Sequence, residues 1–512
     1  MLNSYTWLSL GATALLGISG ISPILAQGVE PAADSSPETP TQPRVVDLQN
    51  STPDRLRSDP DYERVPNNLN PSANPLIFPT TPAEVDTTIV QPITLNQAVE
   101  LALRNNRELE SSKLVLQRVQ SEYEEQKARL FPILQSENAI DRTSSAQTAR
   151  QNQLARQNGF PGDNLEETTN FNGNLSLVYD IYTGGERGAQ LKRAQEEVRR
   201  NQLEVEVRTE QARFDAADSY YELQRRDAQV AIAAAAIEDA SQSLRDAQLL
   251  EQAGLGTRFS VLQAEVDLSR ANQDLTQAIA DQRNARRRLA ELLSVGQKVE
   301  LTAADEIKEA GLWPYSLEES IVLAYKNRAE LEQQLVQRDI SGQERLIALS
   351  EIKPKVDFQA GYNYNDNFND SATITDGYFF QTRVRWTFFD GGRAFARAKQ
   401  ADRNQDIAET EFARQRNIVR REVEEAYFNL VASKENITTS AKSVESATES
   451  LRLARLRFQA GVGTQTDVIN SQRDLTDARS RYLQAIVLYN RSLNTLQRAV
   501  SNLPDRRLFE LP

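Results

Sequence analysis

Side chains fit for acid, base or nucleophilic work are few in kind in this sequence. Its 512 residues include no histidine, no cysteine and one methionine. Imidazole bases, thiolate nucleophiles, thiolate zinc sites and disulfides are thereby excluded. Acid–base work falls to Asp, Glu, Lys or Tyr, and no spacing singles any of them out. No catalytic site, no metal and no cofactor is expected. Asp366, Asp370 and Asp376 crowd one stretch, which reads as a soluble outward loop. Two glycine motifs, Gly254-Leu255-Gly256-Thr257 and Gly461-Val462-Gly463-Thr464, are not phosphate loops, because no Lys-Ser/Thr follows. Their glycines suit left-handed helix ends, and their threonines suit N-caps of a following helix. Thr464 and Asp467 complete a Thr-x-x-Asp capping arrangement. A net charge of −13 speaks against a nucleic-acid partner.

The two motifs are the mark of a larger repetition. Thr94-Leu95, Ala102, Asn105 and Glu108-Leu109-Glu110 recur 222 residues on as Ser316-Leu317, Ala324, Asn327 and Glu330-Leu331-Glu332, and Pro132 matches Pro354. The offset then falls to 207, where Thr183-Gly184-Gly185 matches Asp390-Gly391-Gly392 and the first glycine motif matches the second. The first copy therefore holds 15 extra residues between Pro132 and Gly184, expected as a surface loop.

Each copy changes its apolar period along its length. One helix of about 37 residues is expected over Thr94–Leu130, capped by Thr94 and closed by Pro132. Alternation follows: Val356, Phe358, Ala360, Tyr362 and Tyr364 share one face against Asp357, Gln359, Gly361, Asn363 and Asn365. A returning strand sets Phe380, Thr382, Val384, Trp386 and Phe388 against Gln381, Arg383 and Arg385. The first copy has a matching strand over Phe171–Ile181, whereas Ile133–Asp141 alternates poorly. These strands of about 10 residues have the length of a tilted membrane-spanning strand. After each Gly-Gly the stepping becomes a heptad, as in Val419, Val423, Ala426, Leu430, Ser433 and Ile437. A helix over Ala394–Ala460 spans about 100 Å. The two half-length helices, over Ser316–Ile352 and Gln465–Ser501, stack end to end beside it.

Residues 1–26 carry no charged side chain and fit a signal sequence cut after Ala26. Residues 27–92 read as an acidic, proline-rich disordered tether. From Glu30 to Pro92 there are 12 of the 19 prolines and ten acids against four arginines. The organisation expected is then a first repeat over 93–293 (hairpin about 133–181, tip 254–257), a connecting equatorial segment over 294–315, a second repeat over 316–503 (hairpin about 356–388, tip 461–464), and a tail over 504–512. Beyond residue 26 no stretch is long and apolar enough for a membrane helix, so membrane contact falls to strands. Four strands cannot close a barrel, and open sheet edges cannot face lipid. Other copies of the chain must complete them, giving 8, 12 or 16 strands.

The paired repeats Thr94–Pro132 and Ser316–Pro354 and the turn Trp386-Thr387-Phe388-Phe389-Asp390-Gly391-Gly392-Arg393 resemble the TolC-like outer-membrane efflux protein family. So do the tips Gly254–Val261 and Gly461–Val468. The likeness runs over about 93–503. It implies a mainly α fold with β, in which two tandem repeats supply long coiled-coil helices and two membrane β-hairpins. It implies a homotrimer in which a periplasmic α-barrel continues a 12-strand β-barrel in outer-membrane lipid. Its partners would be a periplasmic adaptor (membrane fusion) protein and an inner-membrane pump, for efflux or type I secretion. The residues Gly254, Leu255, Gly256, Thr257, Gly461, Val462, Gly463 and Thr464 become the candidate adaptor-docking tips. Asp467 and Asn470 take the positions of acidic residues that line the family's aperture. Gln465 stands where some relatives have arginine, and Arg258 holds the matching place in the first copy. A ring of three Asp467 carboxylates would raise their own pKa and attract cations, with Arg258 tying neighbouring turns together. The alternative is an exported coiled-coil stalk or scaffold without transport activity.

Overall fold

The chain enters the described region at Leu69, passes a short helix α1 (Pro82–Val85) and becomes strand β1 (Ile89–Ile93). The computed structural model describes residues 69–501, except 72–73, 75, 77, 87–88, 162–166, 297 and 370–372. The expected signal sequence with its cut after Ala26, and most of the 27–92 segment, lie outside the described residues. Within that segment, however, order begins before residue 93. Leu69 is fully buried beside Ile93, Leu101 and Tyr220, and β1 pairs in parallel with β4 (Val299–Ala303) from Ile89↔Val299 to Ile93↔Ala303. A tally of prolines and acids misses this, because a few apolar residues in a polar stretch suffice to join a core formed by other segments.

Each repeat opens with a capping box. Thr94 Oγ1 accepts from Gln97 N at 3.3 Å while Gln97 Oε1 accepts from Thr94 N at 3.1 Å. Ser316 and Glu319 make the same exchange at 3.2 and 2.9 Å. The single leading helix expected is in fact two in both copies. The first copy has α2 (Leu95–Asn105) and α3 (Arg107–Ala128). The break is at Asn106, whose extended backbone lets its side chain accept from Leu109 N at 3.0 Å.

Past Pro132 run strand β2 (Ile133–Ser144), helix α4 (Ala146–Gln157) and strand β3 (Glu167–Tyr182). The 15 inserted residues, expected as a loop, thus hold a 12-residue helix capped by Ser145, which accepts from Thr148 N at 3.2 Å. Helices α5 (Glu186–Gln252) and α6 (Arg258–Leu292) complete the copy. The second copy repeats the order with α7 (Leu317–Asn327), α8 (Ala329–Ser350), β5 (Lys355–Asn367), β6 (Thr375–Arg385), α9 (Arg393–Gln459) and α10 (Gln465–Val500). Its leading helix breaks at Arg328, the equivalent of Asn106. There the buried guanidinium donates to Glu330 at 3.0 Å, Glu422 at 2.9 Å and the Ala499 carbonyl at 3.2 Å.

The four long strands form one antiparallel sheet in the order β2-β3-β5-β6. Register explains the poor alternation of β2. Leu134, Ser136, Asn138 and Ile140 pair with Leu177, Leu175, Gly173 and Phe171, so they lie on the apolar face. The polar Asn138 is tolerated there because the Tyr364 hydroxyl crosses over Gly173 and donates to its side-chain oxygen. A Cβ added at Gly173 would sit 2.1 Å from that ring.

Helix α5 packs against α3, α6, α8 and α10, and α9 packs against α7, α8 and α10. Helices α8 (22 residues) and α10 (36 residues) therefore share the slot between the two 67-residue helices. The seam on α5 is Ala212, Ala216, Ala233, Ala240 and Ala247, all buried, and small residues let the helix axes approach closely. Between the repeats, Asp305 accepts from Leu95 N and from the Tyr220 hydroxyl, both at 2.7 Å. Burial pushes that phenol's pKa up, and the bond to Asp305 adds to the shift. Asn490 on α10 holds the same segment through Ala310 N and the Lys308 carbonyl, each at 2.9 Å.

Three substitutions test this packing. Leu69→Ala removes a fully buried side chain and is expected to lower unfolding stability by about 2–5 kcal/mol in urea titrations followed by circular dichroism. An unchanged midpoint would place Leu69 outside the core. Gly173→Val is expected to cost about 1–3 kcal/mol through overpacking against Tyr364. Gly377→Val, where an added Cβ meets Asn363 only at 3.4 Å, should cost clearly less; equal losses would refute the crossing.

Candidate aperture and docking tips

Helices α5 and α9 both end in the same hydrogen-bonded turn. Gly254 N donates to the Glu251 carbonyl and Leu255 N to the Leu250 carbonyl, each at 2.9 Å. Gly461 N and Val462 N repeat this with Phe458 and Arg457 at 3.0 Å. This double bond pattern satisfies the last carbonyls of a helix and needs a left-handed residue. Gly254 and Gly461 supply it, each with φ of +74°. The second glycine of each motif serves a different need from the left-handed cap expected of it. A Cβ on Gly256 would lie 2.9 Å from Glu251 N, and one on Gly463 would lie 3.0 Å from Arg457 Cβ. Close approach, not backbone sign, requires glycine there. Between the two glycines the chain presents Leu255 and Val462 outward, 80% and 79% exposed.

The threonines start the return helices. Thr257 Oγ1 accepts from Ser260 N at 3.2 Å. Thr464 Oγ1 accepts from Asp467 N at 3.2 Å and donates to Asp467 Oδ2 at 2.7 Å, while Thr464 N donates to the same oxygen at 3.0 Å. These bonds from the Thr464 hydroxyl and backbone hold the Asp467 carboxyl below its ordinary pKa. Within the protomer Asp467 is thus a helix cap with an exposed, ionised carboxylate. Asn470 is exposed one turn further along. Gln465 is buried, and neither atom of its carboxamide has a hydrogen-bond partner. Arg258 faces Glu251 of its own chain at 3.7 Å.

What joins the two tips inside the chain is a pair of contacts absent from the expectation. Thr466 and Gln263 exchange hydrogen bonds at 3.2 and 3.3 Å, and Arg473 reaches Asp267 at 2.7 Å. Repetition could not reveal them, since each joins different positions of the two copies. Higher up, Arg455 of α9 reaches Asp239 of α5 at 2.8 Å, and Gln472 of α10 donates to the Asp239 carbonyl at 2.8 Å. Asp366 and Asp376, expected in an outward loop, lie instead in β5 and β6, where Asp376 accepts from the Tyr362 hydroxyl at 2.7 Å, and Asp370 lies outside the described residues. Among the described residues, no helix is long and apolar enough to cross a membrane.

The fold is shared with solved outer-membrane channels. CusC superimposes with a TM-score of 0.69 at 18% identity, covering 86% of this chain and 98% of that one. The CmeC outer membrane channel of Campylobacter jejuni superimposes with a TM-score of 0.68 at 15% identity, covering 79% and 85%. In sequence, the outer membrane protein TolC of Vibrio cholerae is 24% identical over 181 residues. That match takes in 34% of this chain and spans 41% of the relative's length. The profile of the outer membrane efflux protein family matches residues 98–295 and 320–502, one segment for each repeat. The chain therefore belongs to the outer membrane efflux protein family.

Proposed function

We propose that the protein is the outer-membrane exit duct of a tripartite efflux or type I secretion system, a passive homotrimeric channel. The observation that carries this reading is the sheet. It has four membrane-length strands and two free edges, β2 and β6, within one chain. Unpaired backbone groups in lipid cost several kcal/mol each, so the edges demand neighbours. Three copies give a 12-strand barrel. The long and half-length helices below it continue as a 12-helix periplasmic tunnel. Carboxamides from Asn170, Asn172, Asn174, Asn363 and Asn365 line the polar face of the sheet, which suits a wet interior. The stalk alternative leaves both the open edges and the membrane-length strands without a purpose.

The exposed Leu255 and Val462 are the apolar points to which a periplasmic adaptor would bind, with an inner-membrane pump behind it. Asp467, Asn470, Gln465 and Arg258 remain the aperture candidates. In a trimer the exposed Asp467 carboxylates would approach one another around the axis, and their repulsion would oppose the lowering caused by Thr464. Capping and lining the aperture are compatible roles for one carboxylate, since Thr464 engages a single oxygen.

Reconstituted in a planar bilayer, the protein should give single-channel steps once opened, and a stalk should give none. Asp467→Asn should weaken block by divalent cations; unchanged block would leave Asp467 as a cap only. The cap has its own signature. Because the folded carboxyl titrates below the ordinary value, its stabilisation is present above that value and fades as pH falls through the folded one. The stability difference between wild type and Asp467→Asn should thus be present at neutral pH and vanish under strong acid. The double change Leu255→Asp with Val462→Asp should abolish adaptor co-purification after crosslinking in the host while sparing bilayer conductance. Undiminished adaptor capture would remove the tips from the docking surface.

A further inference from the structure

The internal repeat fixes how one copy must meet the next. Under the two offsets, 222 for β5 onto β2 and 207 for β6 onto β3, the hairpins have the same register. Val356↔Val384 becomes Leu134↔Leu177, Ala360↔Phe380 becomes Asn138↔Gly173, and Asn365↔Thr375 becomes Thr143↔Thr168, all of them observed pairs. The junction between the copies inside the chain, β3 with β5, is therefore a template for the junction between chains, β6 with β2. Its pair Val178↔Gln359 maps onto Arg385 and Glu137.

We propose that Arg385 of one copy lies directly opposite Glu137 of the neighbouring copy and forms an ion pair with it on the polar, channel-facing side of the closed sheet. This rests on the trimeric assembly proposed above. Register places both residues on the same face. Lys355↔Arg385 and Glu137↔Asn174 belong to the polar rows. Among the described residues neither side chain has an ion-pair partner within the protomer, and both are exposed. The flanking positions agree in chemistry, since Gln381 maps opposite Asp141 and Arg383 opposite Ala139. Arg383 is thereby set between two acids of the neighbour.

Two further places follow the same template. At the strand-to-helix turn, a Cβ on Gly184 would lie 2.9 Å from Lys353 Cβ and 3.0 Å from the Ser350 carbonyl. Its equivalent Gly391 has nothing within 4 Å. The equivalent of Lys353 is Phe131, 67% exposed in the protomer, which fits the open side of the Gly391 turn in the next copy. In the helical wall, Arg200 of α5 donates to Gln337 of α8 at 2.9 Å. Their equivalents are Ile407 and Val115, exposed by 59% and 37%. A polar contact inside the chain thus maps onto an apolar one between chains. Both apolar side chains face water in a lone protomer, and both gain cover when a second copy docks in this register.

The absence of cysteine makes the register directly testable by disulfide trapping. Opposed residues on an antiparallel pair bring their Cβ atoms to about 4.5–5.5 Å. Full-length Glu137→Cys/Arg385→Cys, oxidised in detergent, should give covalent dimers and trimers on non-reducing gels at several-fold higher yield than Gln135→Cys/Arg385→Cys or Ala139→Cys/Arg385→Cys. A higher yield from a shifted pair, or no crosslink in a protein that light scattering shows to be trimeric, overturns the register and leaves the assembly standing. A monomer by light scattering overturns both. The ion pair has a separate readout in the temperature at which the detergent-solubilised trimer dissociates. Glu137→Arg should lower it, and adding Arg385→Glu should restore it. A trimer indifferent to both changes refutes the pairing of charges.

Discussion

The sheet turns on the hydrogen-bonding demand of its two edge strands. β2 and β6 each carry a row of backbone donors and acceptors with no partner inside the chain, and hydrocarbon offers none. A sheet with two free edges is stable in lipid only when it closes, and four strands are too few to do so. On the proposed reading the number of strands per chain calls for further copies, and a closed barrel of copies calls for a wall of matching height below the sheet. That height is met by setting shorter helices end to end beside each 67-residue helix, so that α8 and α10 fill a single slot between α5 and α9.

Close packing in the wall depends on small residues, and sharp reversal at its end depends on glycine. The alanines along α5 bring helices near enough for polar contacts such as Arg491 to Asp218 at 2.6 Å to form across the seam. At the tips one glycine takes the left-handed cap, and the next admits the backbone of the preceding helix. The reversal is therefore short enough to place a single apolar side chain, Leu255 or Val462, between its two glycines.

Repetition and periodicity made most of this architecture legible in the sequence. The heptads marked the long helices, the alternation marked three of the four strands, and the Gly-x-Gly-Thr motifs marked both reversals. What stayed hidden turned partly on local caps inside apolar runs and partly on contacts far apart in sequence. Asn106 and Arg328 break the leading helices by different means, one by a local cap and the other through Glu422 and Ala499, far away in sequence. Helix α4 sits where an insertion suggested only a loop. Leu69 belongs to a core whose other members lie beyond residue 92. The Asp467 cap was readable from Thr-x-x-Asp, whereas the Thr466–Gln263 and Arg473–Asp267 contacts between tips required the two return helices to be seen side by side.

Duplication also raises a problem of identity that the divergence of the copies addresses. Were the two junction types chemically alike, the edge β2 would match its own chain's β5 neighbourhood as well as the next chain's β6, and strand exchange would compete with ring closure. Inside the chain the connecting segment 294–315 already enforces proximity, so Val178↔Gln359 and Arg200–Gln337 need little specificity of their own. Between chains nothing covalent helps, and in the proposed register the equivalent positions carry Arg385 with Glu137 and Ile407 with Val115. Charge in the sheet and apolar cover in the wall are the two attributes that distinguish a correct neighbour from an incorrect one.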